Sequence, residues 1–136
     1  MTGVLTIPNN RIQVGDGGIV DSGKANSDLD FGDAVISTDG GESYDHASED
    51  GEAGIHGVVL KRGDKEEIES GDPVAVLISG MAKVEASDEI KDGELAILDG
   101  SNDGQLKKGS DTAELSTVFG ICKKGADSDE IIVEVL

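Results

Sequence analysis

The chain of 136 residues contains no tryptophan, one tyrosine and two phenylalanines, so aliphatic side chains must fill its core. Its single cysteine, Cys122, cannot form a disulfide within one chain and is expected to be a small buried apolar residue. No apolar run approaches the roughly 18 residues that a membrane-spanning helix needs. The N-terminus also lacks the basic and apolar regions of a signal peptide. These absences favour a soluble protein that is made in the cytoplasm.

Basic residues are scarce: 11 Lys and Arg stand against 29 Asp and Glu, for a net charge of −18. Nucleic acid and anionic membranes are therefore excluded as partners, because binding to either needs clustered Lys and Arg. Apolar strand-like runs argue against a wholly disordered chain. The composition favours a folded protein adapted to high salt, where the self-repulsion of an acidic surface is screened. An ordinary acidic surface is the alternative.

A short pattern occurs twice, in residues 32–78 and 93–135. Each copy has a glycine turn, an apolar strand, a loop, a strand with a central glycine (Gly57 or Gly120), a basic turn and a closing strand. The turn glycine and the central glycine are 25 residues apart in the first copy and 27 in the second. Such a unit cannot bury its apolar face alone, so the two copies should pack together. We predict an all-β domain over residues 21–136, a small β-barrel or sandwich of about ten short strands built from two related halves.

Residues 1–20 form a separate segment, which we interpret as an extended N-terminal arm or an edge hairpin; a first strand of the same barrel is an equal alternative. Its apolar residues are interrupted by a turn signal at Pro8-Asn9-Asn10. They have few obvious partners in the two repeats, so we expect an interface with another subunit or with a larger assembly. The candidate interface residues are Val4, Ile7, Pro8, Ile12 and Val14.

Four local expectations follow from turn and composition signals. The acidic loop Asp39–Glu52 should be exposed and mobile. Pro73 fits the first position of a strand, where no ladder donor is needed. Ser79-Gly80 predicts a tight hairpin, and Ala86–Asp92 predicts one short helical turn capped by Ser87.

Neither a metal site nor a catalytic site is predicted. The cluster Asp99–Gly104 has oxygen ligands, but a calcium loop counted from Asp99 needs a glutamate at its twelfth position, which is Ser110. His46 and His56 lie ten residues apart without a supporting cysteine or third histidine. No nucleophile motif of the Gly-x-Ser-x-Gly type is present. We therefore expect no enzyme activity and no cofactor.

Lys83 raises one alternative from another class of protein. The segment from Gly71 to Val84 loosely resembles the hairpin that carries a biotinyl- or lipoyl-lysine, with Lys83 as the attachment site. The signature tripeptides around that lysine are missing, and those domains are shorter than this chain. A cellular β-rich binding module is the other alternative.

Residues 55–136 resemble the capsid decoration, or structural cement, proteins of tailed viruses. The resemblance is carried by Gly71-Asp72-Pro73-Val74-Ala75-Val76, by Asp92-Gly93-Glu94-Leu95-Ala96-Ile97 and by Phe119-Gly120-Ile121-Cys122. It implies a small β-barrel, usually a homotrimer, that binds the major capsid protein on the outside of the virion where capsomers meet. The excess of acidic residues departs from the common pattern and suggests a virus of a halophilic host.

Overall fold

A computed structural model describes residues 18–61, 67–110, 114–125 and 130–136. Within these residues the chain forms nine β-strands and one short 3₁₀ turn, Leu115–Thr117, and no helix there is long and apolar enough to cross a membrane. The strands are β1 (Ile19–Ala25), β2 (Ala34–Ser37), β3 (Ser43–Tyr44), β4 (Ile55–Leu60), β5 (Pro73–Glu85), β6 (Leu95–Leu98), β7 (Leu106–Lys108), β8 (Gly120–Lys124) and β9 (Glu130–Val135). The prediction of an all-β fold is confirmed.

Strand β5 belongs to both halves of the folded chain, which are residues 19–79 and residues 80–136. Its early part, residues 73–79, pairs antiparallel with β1 and β4, and its late part, residues 80–85, pairs antiparallel with β9. Seven strands follow one path of neighbours, β2-β4-β5-β9-β8-β6-β7, which curls into a nearly closed antiparallel barrel. β1 and β3 lie beside this path, where β1 pairs with both β3 and β5.

The same order of strand pairing occurs in each half. In the first half, β2 pairs with β4, β4 with early β5, and early β5 with β1. In the second half, β6 pairs with β8, β8 with β9, and β9 with late β5. An isolated bridge occurs in each half: Ile36 of β2 pairs with Asp45, which follows β3, and Ala86, which follows β5, pairs with Leu106 of β7. The two halves therefore share an order of strand pairing, and the bounds of the repeat, residues 32–78 and 93–135, stay a prediction.

The central glycine of each repeat is explained by the close approach of the next strand. A Cβ atom on Gly57 would lie 2.7 Å from the carbonyl oxygen of Leu77 in β5. A Cβ atom on Gly120 would overlap the carbonyl oxygen of Glu134 in β9. Since a backbone oxygen is an obstacle in both cases, in addition to the Val76 side chain beside Gly57, only glycine fits.

A four-residue turn with glycine in third place precedes three of the strands. The turns are residues 30–33 before β2, 69–72 before β5 and 91–94 before β6. Their glycines have φ angles of 89°, 92° and 84°, as a type II turn requires. In each turn the acidic fourth residue accepts a hydrogen bond from the first residue's N–H through its carboxylate, at 2.7–3.0 Å. The acidic residue after each turn glycine thus closes the turn.

Two apolar clusters make up the core. The smaller is built from first-half residues: Ala25, Leu29, Val35, Tyr44, Val59, Ile68, Val74 and Val76. The larger joins the opposite face of β2, β4 and early β5 to the inward residues of the second half, including Phe119 and the buried Cys122. The first-half sheet is consequently buried on both faces, whereas the second-half strands bury alternate residues.

Two local predictions are wrong, one is correct for only part of its loop, and one is confirmed. Ser79-Gly80 does not form a hairpin, because β5 continues through it with Gly80 at φ 124°. Residues 86–92 contain no helical turn: the Ser87 side chain donates a hydrogen bond to Asp99 instead of capping a helix. The acidic loop is not simply exposed, since it contains β3 and the fully buried Tyr44. Pro73 does begin its strand.

Candidate functional site

The predicted interface residues Val4, Ile7, Pro8, Ile12 and Val14 lie outside the described residues, so that assignment stays a prediction, as does the domain division at residue 20. The nearest described residue is Gly18, which is buried. Its Cα would be 3.0 Å from a Cβ atom placed on Gly80. The chain therefore enters β1 at the junction between the two halves.

Among the described residues, the outward side of the second-half sheet is left partly uncovered, and we call it the outer face. Late β5, β9, β8 and β6 all turn residues toward it, and the register aligns Lys83 with Ile132 and Ile121 with both Glu134 and Leu95. The outward residues of an antiparallel sheet are usually polar. Here the aliphatic residues Leu95, Ile97, Ile121 and Ile132 are only partly buried at these positions.

An apolar rim borders the outer face at the junction of the halves. Ile19 is 54% exposed, Met81 37% and Leu136 55%. All three surround Gly80: Ile19 pairs with Ser79, Met81 follows Gly80, and Leu136 follows Val135, the partner of Gly80. Three of the four large exposed hydrophobic residues found in the described parts of the chain thus meet at one place.

Charges on the outer face are mixed, unlike those of the chain as a whole. Lys123 forms an ion pair with Glu134 across β8 and β9, with Nζ 3.3 Å from Oε1. Lys108 pairs with Glu94 at 2.9 Å near the other edge of this sheet. The second half contains six of the ten basic residues that follow residue 18. This half therefore presents apolar side chains among charges of both signs.

An acidic cleft lies between the halves, beyond the far end of late β5. Its volume is about 350 Å³, and its lining includes Asp30, Asp33, Lys83, Glu85, Asp103 and Glu130. Over the described ranges, no three His, Cys, Asp or Glu side chains are grouped as a metal site would need. Carboxylates from both halves line the cleft, but those of the described residues do not converge on one position where a metal ion could bind.

His46 joins the halves beside this cleft. Its Nε2 lies 2.7 Å from Oδ2 of Asp33, and its Nδ1 lies 3.8 Å from Oδ2 of Asp103 on the second-half turn. The hydrogen bond to Asp33 raises the pKa of His46 above its usual 6.5 against the opposing effect of burial, and the charges of Asp33, Asp103 and Asp45 add to the rise. A protonated His46 therefore binds carboxylates from both halves.

The acidic loop contacts the second half at a second point, Asp50. Its carboxylate accepts a hydrogen bond from the backbone N–H of Gly100 at 2.8 Å and pairs with Lys107 at 3.0 Å. These two contacts lower the pKa of Asp50. The adjacent N–H of Gly51 donates to the carbonyl of Leu98 at 2.9 Å. The loop that the sequence marked as least core-like is thus part of the contact between halves.

Asp99 is a buried carboxylate, 4% exposed, at the turn after β6. Burial by itself would raise its pKa. Hydrogen bonds from Ser87, Asn102 and the backbone of Ser101 outweigh that effect and lower the pKa to about 2. Since its oxygens accept bonds from its own turn and from Ser87, Asp99 has a structural role.

The remaining candidate residues also have structural surroundings. Lys83 lies inside the paired part of β5, opposite Ile132, and not at a hairpin tip, which removes the geometry on which the carrier interpretation depended. His56 is 7% exposed, with Nε2 2.7 Å from the carbonyl of Glu52 and its ring beside Phe119. Cys122 is fully buried, and burial raises the pKa of its thiol, as expected for a small core residue.

Sequence reasoning missed the outer face and its rim. A signal was present, because the second repeat places Ile121 and Ile132 one residue away from its inward residues. Strand periodicity would have put both on the outward side. The rim could not be found in this way, since it depends on β5 continuing through Gly80.

Comparison with known proteins places the chain in a family and identifies a similar fold. A family model described as XM1 gp53 minor capsid protein matches residues 3–136. No curated protein matches the chain. Among solved structures, the chain is similar to the head fiber gp8.5 N base of bacteriophage phi29, with 16% sequence identity, a TM-score of 0.55, and coverage of 88% of this chain and 94% of that one. At this identity the likeness shows a shared fold. Because the family model spans nearly the whole sequence, the chain belongs to the XM1 gp53 minor capsid protein family and is a structural protein of the virion.

Proposed function

We propose that the protein decorates and stabilises the outside of an icosahedral capsid, without catalysis, by binding the major capsid protein through the outer face. The observation that carries this proposal is the row of partly exposed aliphatic residues, Leu95, Ile121 and Ile132, among mixed charges on an otherwise acidic molecule. Protein interfaces commonly combine an apolar centre with a polar rim. Membership of a minor capsid family supports the assignment to the capsid.

The strong negative charge supports an exterior position. A net charge of −18 would repel packaged nucleic acid inside a shell, whereas on the outer surface it faces solvent. Such a surface also suits a virus of a halophilic host, in which salt screens the charge. We place synthesis in the host cytoplasm and the mature protein on the capsid surface of a tailed virus.

A homotrimer is the oligomer that the resemblance to decoration proteins implies. The rim residues Ile19, Met81 and Leu136 offer an apolar contact close to Gly18, the first described residue. Light scattering of the purified protein should give three times the mass of 14.0 kDa. A monomer at high micromolar concentration would exclude a stable trimer in solution.

The fold likeness to the phi29 protein favours a second candidate function, the base of a head fibre. A fibre base would also bind the capsid exterior, but it would carry a further protein on its opposite side. Both functions share the capsid-binding step, so one assay of that step applies to both, and images of the particle distinguish them.

The test mixes purified protein with capsids that lack it and measures bound protein by co-sedimentation. Ile121→Glu places a charge at the centre of the outer face, and Ser70→Glu places the same charge on an exposed turn of the first half. We expect Ile121→Glu to weaken binding at least about tenfold, because a desolvated charge disrupts an apolar contact, and Ser70→Glu to bind normally. Circular dichroism of both variants checks that they fold. Equal binding by the two variants, or density inside the shell in electron micrographs, would contradict the proposal.

A further inference from the structure

One carboxylate, that of Glu134, lies among the apolar side chains of the outer face. The sheet register places Met81 of β5 opposite Glu134 on one side and Ile121 of β8 opposite it on the other. Along β9, strand alternation puts Ile132 and Leu136 on the same face. The four positions that surround Glu134 in the sheet are therefore all occupied by apolar residues.

The ion pair that Glu134 makes within the chain uses only one of its two carboxylate oxygens. A register shift between Cys122 and Lys124 leaves Lys123 in a β-bulge, an irregularity that redirects a side chain. The Nζ atom of Lys123 lies 3.3 Å from Oε1 of Glu134, and the two side chains are 49% and 44% exposed. In the described part of the chain, no other side chain pairs with this carboxylate. Its second oxygen, Oε2, is therefore open to a further donor.

Binding through the outer face would remove water from Glu134. A protein surface that packs on Met81, Ile121 and Ile132 also covers the carboxylate that lies between them. A desolvated carboxylate weakens binding unless donors pair with it, and a carboxylate has two oxygens that can accept such bonds. Lys123 pairs with one of them. The second oxygen then needs a donor from the bound protein.

We infer that Glu134 determines partner specificity by accepting, at Oε2, a basic side chain of the major capsid protein, an arginine or a lysine. The inference rests on the proposed function, because it names the group that is recognised at the same face. The net charge of −18 favours the approach of a partner that is basic at its contact surface. A protein without this basic group is rejected, since it would leave the covered carboxylate unpaired.

The sign of one substitution tests the inference in the co-sedimentation assay with capsids that lack the protein. Glu134→Gln keeps the size of the side chain and removes its charge. If a basic group pairs with Glu134, this variant should bind at least about tenfold more weakly than the wild type. Glu130→Gln is the matched control, because it removes the charge of an exposed glutamate at the other end of β9. It should bind within about threefold of the wild type.

Lys123→Gln separates a partner group from the ion pair within the chain. Both Lys123→Gln and Glu134→Gln break that ion pair, but only Glu134→Gln removes the acceptor for the capsid protein. We therefore expect Lys123→Gln to bind within about threefold of the wild type. Circular dichroism of all three variants checks that each one is folded.

Two results would overturn the inference alone. Binding of Glu134→Gln that equals or exceeds that of the wild type would show that no basic group pairs with the carboxylate in the complex. Equal losses in Glu134→Gln and Lys123→Gln would show that the ion pair within the chain is what matters. In either case weak binding by Ile121→Glu would still support the proposed function. Normal binding by Ile121→Glu would reject the outer face as the contact surface, and this inference with it.

Discussion

The two halves of this protein share a strand order but differ in what their sheets cover. In the first half, consecutive residues such as Val58 and Val59 are both fully buried, because one faces the larger cluster and the other the smaller. In the second half, Val133 is buried while its neighbour Ile132 is only partly so. Similar strand pairing therefore produces a sheet that is buried on both faces in the first half and a sheet that is buried on one face in the second half.

The sheets of the two halves therefore have different roles. The first-half sheet packs against the second half and holds the acidic loop through Tyr44. Among the described residues the second-half sheet keeps one face open, and that face carries aliphatic residues, while the second half as a whole contains six of the ten basic residues that follow residue 18. The proposed capsid-binding surface therefore lies on one half, and the other half supports it.

The largest expected effect concerns the central glycine that each half contains. Gly57→Ala and Gly120→Ala should each destabilise the protein by about 3 kcal/mol or more, since a methyl group meets backbone oxygen that cannot move aside. Gly71→Ala is the control, because no atom lies within 4 Å of its Cβ position and only its positive φ adds a cost of about 1 kcal/mol. Urea unfolding monitored by circular dichroism measures all three. A mild effect at one central glycine alone would mean that the halves are not equivalent there.

These glycines were also the best guide that the sequence offered. The paired positions of Gly57 and Gly120 predicted two related halves, and the turn glycines Gly32 and Gly93 marked the strand that follows each. The run Val74–Leu77 could also have indicated a sheet buried on both faces, because it lacks alternation. Local signals of this kind predict a strand and its neighbouring strands, but they do not predict contacts between distant segments.

The contacts between halves could not be predicted in the same way. Tyr44 is buried because its loop packs on the first-half core, and Asp50 is held by Gly100, which is 50 residues away. A polar, glycine-rich composition predicts exposure at both positions, which is correct for Asp50 but not for Tyr44, and it does not predict the contact of Asp50 with the second half. The hairpin predicted at Ser79-Gly80 failed for a related reason, since the continuing pairing of β5 with β9 overrides a local turn preference.

The second prediction tests whether both faces of the first-half sheet, but only one face of the second-half sheet, are buried. Val→Thr keeps the side-chain shape but buries a hydroxyl, which costs about 1–3 kcal/mol without a partner. Val58→Thr and Val59→Thr should both show this cost, as should Val133→Thr, whereas Ile132→Thr should cost less than about 1 kcal/mol. Thermal unfolding of the four variants provides the comparison. If neighbouring residues of β4 differed as much as those of β9 do, the first-half sheet would not be buried on both faces.

The third prediction concerns salt. Residues 19–79 carry 15 acidic and 4 basic residues, and residues 80–136 carry 13 and 6, so repulsion is greater in the first half. The melting temperature should rise by about 4 °C or more between about 0.1 M and 1 M monovalent salt, as screening increases. Hydrogen exchange should show the larger gain in the first half. A flat or falling melting curve would contradict adaptation to a halophilic host and leave the fold unaffected.

The smallest expected effect is the pH dependence of the contact between halves at His46. Because Asp33 raises the pKa of His46 in the folded state, its stabilising contribution is complete below the unfolded value of about 6.5 and is lost as pH rises through the higher folded value. Asp99, with its pKa lowered to about 2, stays ionised over this range and adds no slope. The melting temperature should therefore fall from about pH 6 to about pH 8.5, and less so in His46→Gln. His56→Gln is the control, as its ring nitrogen contacts a backbone carbonyl and no carboxylate. A slope unchanged in His46→Gln would show that protonation of His46 does not contribute to holding the two halves together.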